Sequence, residues 1–185
     1  MIAVVTGHTK GIGKAFAEYF ALKGYTVIGF SRSNGFDISD SSIRDKILEL
    51  SRDADIFVNN AYDFDNQQFN SQNDLLVGMF NQWREQSKVL INVSSISSDY
   101  WPTNGRIYSK NKQELDKSMI EFGLKSPKVV LVNLKPSWVD TDRIRNIMPN
   151  GIVPMKPKAL YKVLDFVLEN LNSIKITSIT LEPTQ

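Results

Sequence analysis

The 185-residue chain has no cysteine, which excludes disulfides, thiol nucleophiles and thiolate metal sites. It has one histidine, His8, so no metal is expected. It also lacks a charge bias. The 22 Lys and Arg stand against 20 Asp and Glu, a net charge of +2, with no basic run or basic–aromatic stripe. Nothing in that pattern points to a nucleic-acid partner. No apolar run approaches the length of a membrane span. No charged segment followed by an apolar one precedes "MIAVVTG", so no signal peptide is expected, and a cytoplasmic location is. Repeats, low-complexity tracts and linkers are missing too. With 42% hydrophobic residues, the chain suits one domain over residues 1–185 with a single core.

Apolar, β-branched runs recur at 2–6, 26–30, 55–58, 88–93, 128–134 and 176–181. They are apolar on both faces, as strands covered on both sides must be. Helical patterns lie between most of them, at 11–23, 40–52, 68–86, 106–124 and 157–172. This alternation predicts an α/β fold: a Rossmann-like, doubly wound parallel sheet of six to seven strands with helices on both faces. Segment 62–72, "YDFDNQQFNSQ", reads as a polar loop, and Asp63 and Asp65 in it read as solvated charges. Segment 142–157, with three prolines and two methionines, reads as a short surface lid.

In "VVTGHTKGIGKAFAEYF", Gly7, Gly11 and Gly13 lie between the first strand and the first helix. Glycines there permit a tight turn and the close approach of a pyrophosphate to the helix N-terminus. No Gly-Lys-Ser/Thr closes the motif, which argues against a P-loop. After the second strand the chain reads "GFSRSNG", without the acid that would hold a ribose 2′-hydroxyl. Arg32 there and Lys10 in the glycine loop suit a 2′-phosphate, favouring NADP(H) over NAD(H).

Tyr108 and Lys112 are four apart on a predicted helix and share a face. A nearby ammonium favours a phenolate, so such a tyrosine can exchange a proton with a carbonyl or alcohol oxygen. Ser95 precedes Tyr108 by thirteen residues (108 − 95) and follows the buried run "VLINV". It should therefore emerge at the strand C-termini, where ligands of open α/β sheets bind. Spacing alone is weak evidence, because Tyr19, Lys23 and Thr6 repeat it. His8 caps or contacts a phosphate, or is exposed. Trp101 and Trp138 flank the expected site and either shape the pocket or pack.

Together these residues resemble the short-chain dehydrogenase/reductase family. "TGHTKGIG" is similar to the family's TGxxxGIG loop and "FDIS" to its Asp-hydrophobic pair. "NNAY" resembles NNAG, Ser95 with Tyr108 and Lys112 the catalytic serine and YxxxK, and "KPSWVDTD" the PG-x-[IV]-x-T segment. The resemblance implies an oxidoreductase that moves hydride between NADP(H) and a small carbonyl or alcohol, with Tyr108 as acid/base. Ser95 would orient the substrate oxygen. Lys112 would bind the nicotinamide ribose and lower the tyrosine pKa. Gly7, Thr9, Lys10, Gly11, Ile12, Gly13 and Arg32 would hold phosphates. Asp37 and Ile38 would meet the adenine, Asn59 and Ala61 would line the adenosine side, and Pro136, Val139 and Thr141 would meet the nicotinamide amide. Asn73 is the nearest match to the family's catalytic asparagine, with Asn70 and Asn81 as competitors.

The chain departs from the pattern in four places. Only residues 33–36 separate Arg32 from Asp37, where members insert a helix. Tyr62 replaces the glycine of NNAG, and Ser137 replaces the one after the proline. The region beyond Thr141 is short. Two other readings therefore stand beside the enzyme: a non-catalytic NADP(H)-binding sensor, and an epimerase or dehydratase with tightly held nicotinamide. A homodimer through helices near 70–86 and 106–124 is expected.

Overall fold

The computed structural model describes residues 1–126 and 128–184. Six strands form one parallel sheet: β1 (Ile2–Thr6), β2 (Thr26–Phe30), β3 (Ile56–Asn59), β4 (Val89–Val93), β5 (Val130–Pro136) and β6 (Ser178–Leu181), in the order β2-β1-β3-β4-β5-β6. The helices are α1 (Gly11–Leu22), α2 (Ser41–Leu50), α3 (Ser71–Trp83), α4 (Ile107–Lys125), the short α5 (Asp142–Arg145) and α6 (Leu160–Asn170). The strand count meets the lower end of the expected range. Among the described residues, no helix is long and apolar enough to cross a membrane.

The period of two in each strand divides the core into two layers. Val4, Phe57, Leu90 and Leu131 face α2, α3 and α4, joined by Leu75, Met79, Trp83, Leu115 and Phe122. Ala3, Val5, Val58, Ile91 and Val132 face α1 and α6, joined by Phe16, Phe20, Leu160 and Leu164. Phe80 of α3 stacks on Phe122 of α4 with ring centres 4.1 Å apart, fixing the two helices together.

Where a helix was expected to be lacking, one 3-10 turn, Arg32–Asn34, follows β2. Gly35 ends it at φ +87°, a conformation glycine adopts without strain. The chain then enters α2 and crosses to β3 on the far side of β1, leaving β2 at the sheet edge. The order reverses at β1, between β2 and β3. The crevice beyond the strand C-termini at such a switch point is where open α/β sheets bind ligands.

Candidate active site

The glycine loop sits at that crevice. Gly7 has φ +71° and Gly11 φ +54°. A Cβ on Gly7 would approach Asn60 Nδ2 to 2.8 Å, and one on Gly13 would strike the Gly7 carbonyl, so both glycines are required by packing. Thr6 Oγ1 accepts from the amides of Asn60 (2.9 Å) and Ala61 (3.0 Å), tying the loop to the end of β3. Across the crevice, a Cβ on Gly11 would lie 3.1 Å from the Thr141 methyl. Thr9 and Lys10 are exposed, and Ile12 packs on the core layer under α1.

α1 opens without a side-chain cap and without an acid in its first turn. By contrast, Asp40 caps α2 and Asn70 caps α3. The free amides of the first α1 turn are donors suited to an anion, and the residues present fit a dinucleotide at its pyrophosphate end. His8, beside them, lies against Gly29 of β2, where a Cβ would collide with the imidazole, and its Nδ1 is buried without a partner among the described residues.

The adenosine end differs from expectation. Arg32 is ion-paired to Asp37 (2.7 Å), Asp63 (3.2 Å) and Asp65 (2.8 Å). It is therefore not a free phosphate reader: one cation is surrounded by three carboxylates. Asp63 is buried and also accepts from the Asp65 amide (3.1 Å) and Asn66 Nδ2 (2.9 Å), so it is a structural acid, not a solvated charge. Asp37, lying beside this guanidinium and bonded by the Ser39 amide, has its carboxyl held below the usual range despite partial burial. The Ile38 side chain is buried in the core. Asn59 is likewise fully buried, with Nδ2 donating to the Gln72 carbonyl and to Asn92 Oδ1, so its side chain is committed to the core; Ala61 remains at the crevice edge.

Ser95, Tyr108 and Lys112 do come together. Ser95 lies just past β4 and caps the 3-10 turn Ile96–Tyr100. The Tyr108 phenol lies beside Ser95. Burial pushes its pKa up, while the nearby serine and the Arg143 guanidinium pull it down. Lys112 is buried, and its Nζ donates to Gln72 Oε1 (2.7 Å) and the Val93 carbonyl (2.9 Å). Desolvation lowers its pKa to about 7, with Asp116 opposing. The Nζ lies 5.4 Å from the Tyr108 ring centre and 5.0 Å from that of Tyr62.

Asn73 does not complete this set: its Oδ1 accepts from Ser118 Oγ (2.9 Å) on α4. Asn70 caps α3 and donates to Glu114 Oε2 (2.9 Å). The residue that meets Lys112 is Gln72, one position earlier, whose Nε2 also donates to the Asn59 and Val93 carbonyls. Family-style matching looks for asparagine and so passes over it; the fully buried glutamine on the inner face of α3 is the available signal.

Two aromatic residues cover the tyrosine. The Phe64 ring stacks on Tyr108 (5.7 Å, 19°), and Tyr62 meets it edge-on (5.1 Å). Arg143 of α5 lies over Phe64 at 3.1 Å. The Tyr62 hydroxyl accepts from Asn111 Nδ2 (2.9 Å), and burial raises its pKa to about 12. Beyond Ser95 opens a cavity of about 670 Å³ lined by Ile96, Tyr100, Arg106, Trp138, Ile152 and Glu182 among others. Pro136 ends β5, and Val139, buried, bridges to Met155. That bridge and the Lys156–Asp140 ion pair (3.1 Å) close the base of segment 142–157. Thr141 caps α5.

No family model matches the sequence, and no curated protein matches it. Solved structures do match. A short-chain dehydrogenase/reductase from Brucella melitensis, described as a glucose/ribitol dehydrogenase, superposes with TM-score 0.80 at 16% identity, over 97% of this chain and 94% of that one. A short chain dehydrogenase from Burkholderia cenocepacia in complex with NADP gives 0.78 at 18%, over 98% and 88%. A 3-alpha-hydroxysteroid dehydrogenase from a Pseudomonas species, complexed with NADH, gives 0.74 at 18%, over 98% and 94%. The chain thus has the fold of the short-chain dehydrogenase/reductases.

Proposed function

We propose that this chain, built on that fold, is an oxidoreductase that uses a nicotinamide dinucleotide to interconvert a small carbonyl compound and its alcohol. The observation that carries the reading is the convergence of Ser95, Tyr108 and Lys112, the last one turn along α4, at the same sheet edge as the uncapped start of α1. When bound, the nicotinamide supplies the hydride donor or acceptor. The residues of the chain do the rest. The first-turn amides of α1 bind the pyrophosphate. Ser95 holds the reacting oxygen against Tyr108. Tyr108 gives that oxygen a proton in reduction or takes it in oxidation. Lys112 sits beneath as a group that changes charge near neutrality, which suits proton exchange. Segment 142–157 acts as the lid over the cavity beyond Ser95.

The 2′-phosphate preference rests on Lys10, since Arg32 would have to leave three carboxylates to join it. The surplus of negative charge there favours NAD(H) or weak discrimination. Titration of cofactor fluorescence with NADPH and NADH tests this: much tighter NADPH binding restores Arg32 as a phosphate reader. Turnover is tested with Tyr108→Phe, screened with native protein against aldehydes, ketones and alcohols. The expected loss is about 100-fold or more, the usual size of a general acid–base contribution. Native-like turnover in that variant overturns the reading.

The second reading is a non-catalytic dinucleotide-binding protein, favoured by the Phe64 and Tyr62 rings that cover Tyr108. Saturable cofactor binding without hydride transfer across the panel would support it. The dimer is proposed through α3 and α4, where Ile120 and Leu124 are exposed apolar residues of α4; sedimentation of native protein and Leu124→Glu tests it.

A further inference from the structure

Three asparagines stand side by side across the sheet. Asn59 of β3 is in register with Asn92 of β4, and Asn92 with Asn133 of β5. All three are buried, on the face covered by α3 and α4. They lie on a string of hydrogen bonds that passes through the Asn59 backbone, because the Gln72 bond ends on the Asn59 carbonyl and not on its side chain. Lys112 Nζ donates to Gln72 Oε1 (2.7 Å), and Gln72 Nε2 donates to the Asn59 carbonyl (2.9 Å). Asn59 Nδ2 donates to Asn92 Oδ1 (3.0 Å), and Asn92 Nδ2 to Asn133 Oδ1 (2.8 Å). Asn133 Nδ2 donates to Asp116 Oδ1 (2.7 Å). Asp116 Oδ2 accepts from Ser98 Oγ and pairs with Lys135 (3.1 Å), which also pairs with Asp99.

The direction of this chain is fixed by its ends. An ammonium only donates, which turns the Gln72 oxygen toward it, and a carboxylate only accepts, which turns the Asn133 amide toward it and, through Asn133, that of Asn92. The side-chain amides of Gln72, Asn92 and Asn133 turn oxygen toward Lys112 and nitrogen toward Asp116. In a buried setting such aligned dipoles favour a cation at one end and an anion at the other. A core that only needed filling would take apolar side chains at these positions, as the adjacent rung Phe57, Leu90 and Leu131 does.

We propose that Asp116 is a positioning residue for Lys112: through the amide string and its own charge, it holds Lys112 at Gln72 beneath Tyr108 and favours its protonated form. This rests on the proposed function only in giving Lys112 a role beside Tyr108. Other ionisable groups face the same region: Tyr108 on α4, Tyr62 after β3, Arg143 on α5, and Lys135 and Asp99 beyond Asp116. β4 contributes a neutral carbonyl, that of Val93. Lys135 is the cation closest to Asp116 and opposes its effect.

The test is the titration of Lys112 itself, followed by NMR of side-chain-labelled lysine in the full-length protein, with the resonance assigned from Lys112→Arg. Asp116→Asn keeps the shape and the bond to Asn133 but removes the charge; the Lys112 midpoint is expected to move down. Lys135→Gln is expected to move it up, and Asp116→Glu to return it toward the native value. Unmoved midpoints in folded Asp116→Asn and Lys135→Gln overturn the proposal. If Asp116→Asn does not fold, the sign in Lys135→Gln decides. The readout needs neither cofactor nor turnover, so failure of the enzymatic reading leaves it intact. In an active protein, the pH profile of turnover should shift with the same signs.

Discussion

At the scale of residues, the two Tyr/Lys pairs show what spacing cannot tell. Tyr19 and Lys23 have the spacing of Tyr108 and Lys112. Yet Tyr19 donates to Asp165 (2.8 Å) and Lys23 pairs with the same carboxylate (2.6 Å). Burial and that acid push the Tyr19 phenol far up, so its proton is pinned. Tyr108 instead faces a neutral serine and the Arg143 guanidinium. Nothing in either five-residue stretch distinguishes them; the carboxylate arrives from α6, far along the chain. Lys112 yields a prediction of its own. Its folded pKa, about 7, lies below the ordinary 10.5. Between those values the unfolded chain holds a proton that the folded one lacks, so stability rises with pH across that window. Urea unfolding at neutral and mildly alkaline pH should show this rise in native protein and a flatter response in Lys112→Met. Parallel pH responses would contradict it. The asparagine ladder predicts a second effect: Asn92→Leu strands Asn59 and Asn133 and should cost about 1–3 kcal/mol, read by the same unfolding curves.

At the scale of elements, the strands and five helices were legible because their period and flanking residues agree. β3 begins and ends one residue beyond the expected run, and α3 starts at Ser71 rather than 68 because Asn70 caps it. Segment 62–70 was not legible. Its polar composition reads as a solvated loop, but Asp63 is buried against Arg32 and Phe64 lies on Tyr108. If a cofactor or substrate must reach Tyr108, this stack has to open. An aromatic pair is worth about 1 kcal/mol. Phe64→Ala should therefore tighten cofactor binding by about fivefold, measured by the same fluorescence titration. Weaker binding would show instead that Phe64 is part of the binding wall.

At the scale of the whole molecule, the short connection after β2 decides the shape of the sheet. β2 is an edge strand, partly exposed along its length, whereas β1, β3 and β4 are almost wholly buried. Amide hydrogen exchange should be faster in β2 than in β1, β3 or β4. Equal protection would mean that another chain covers this edge. By itself the sequence determined the α/β class, the parallel sheet and the glycine turn, because periodicity, turn chemistry and strand ends are local properties. Only the tertiary structure decided that Arg32 is ringed by carboxylates, that Gln72 rather than Asn73 meets Lys112, and that three asparagines link Lys112 to Asp116. Those outcomes depend on side chains from separate elements meeting in space, and a hydrogen bond or ion pair acts only over the few ångströms that the packed fold supplies.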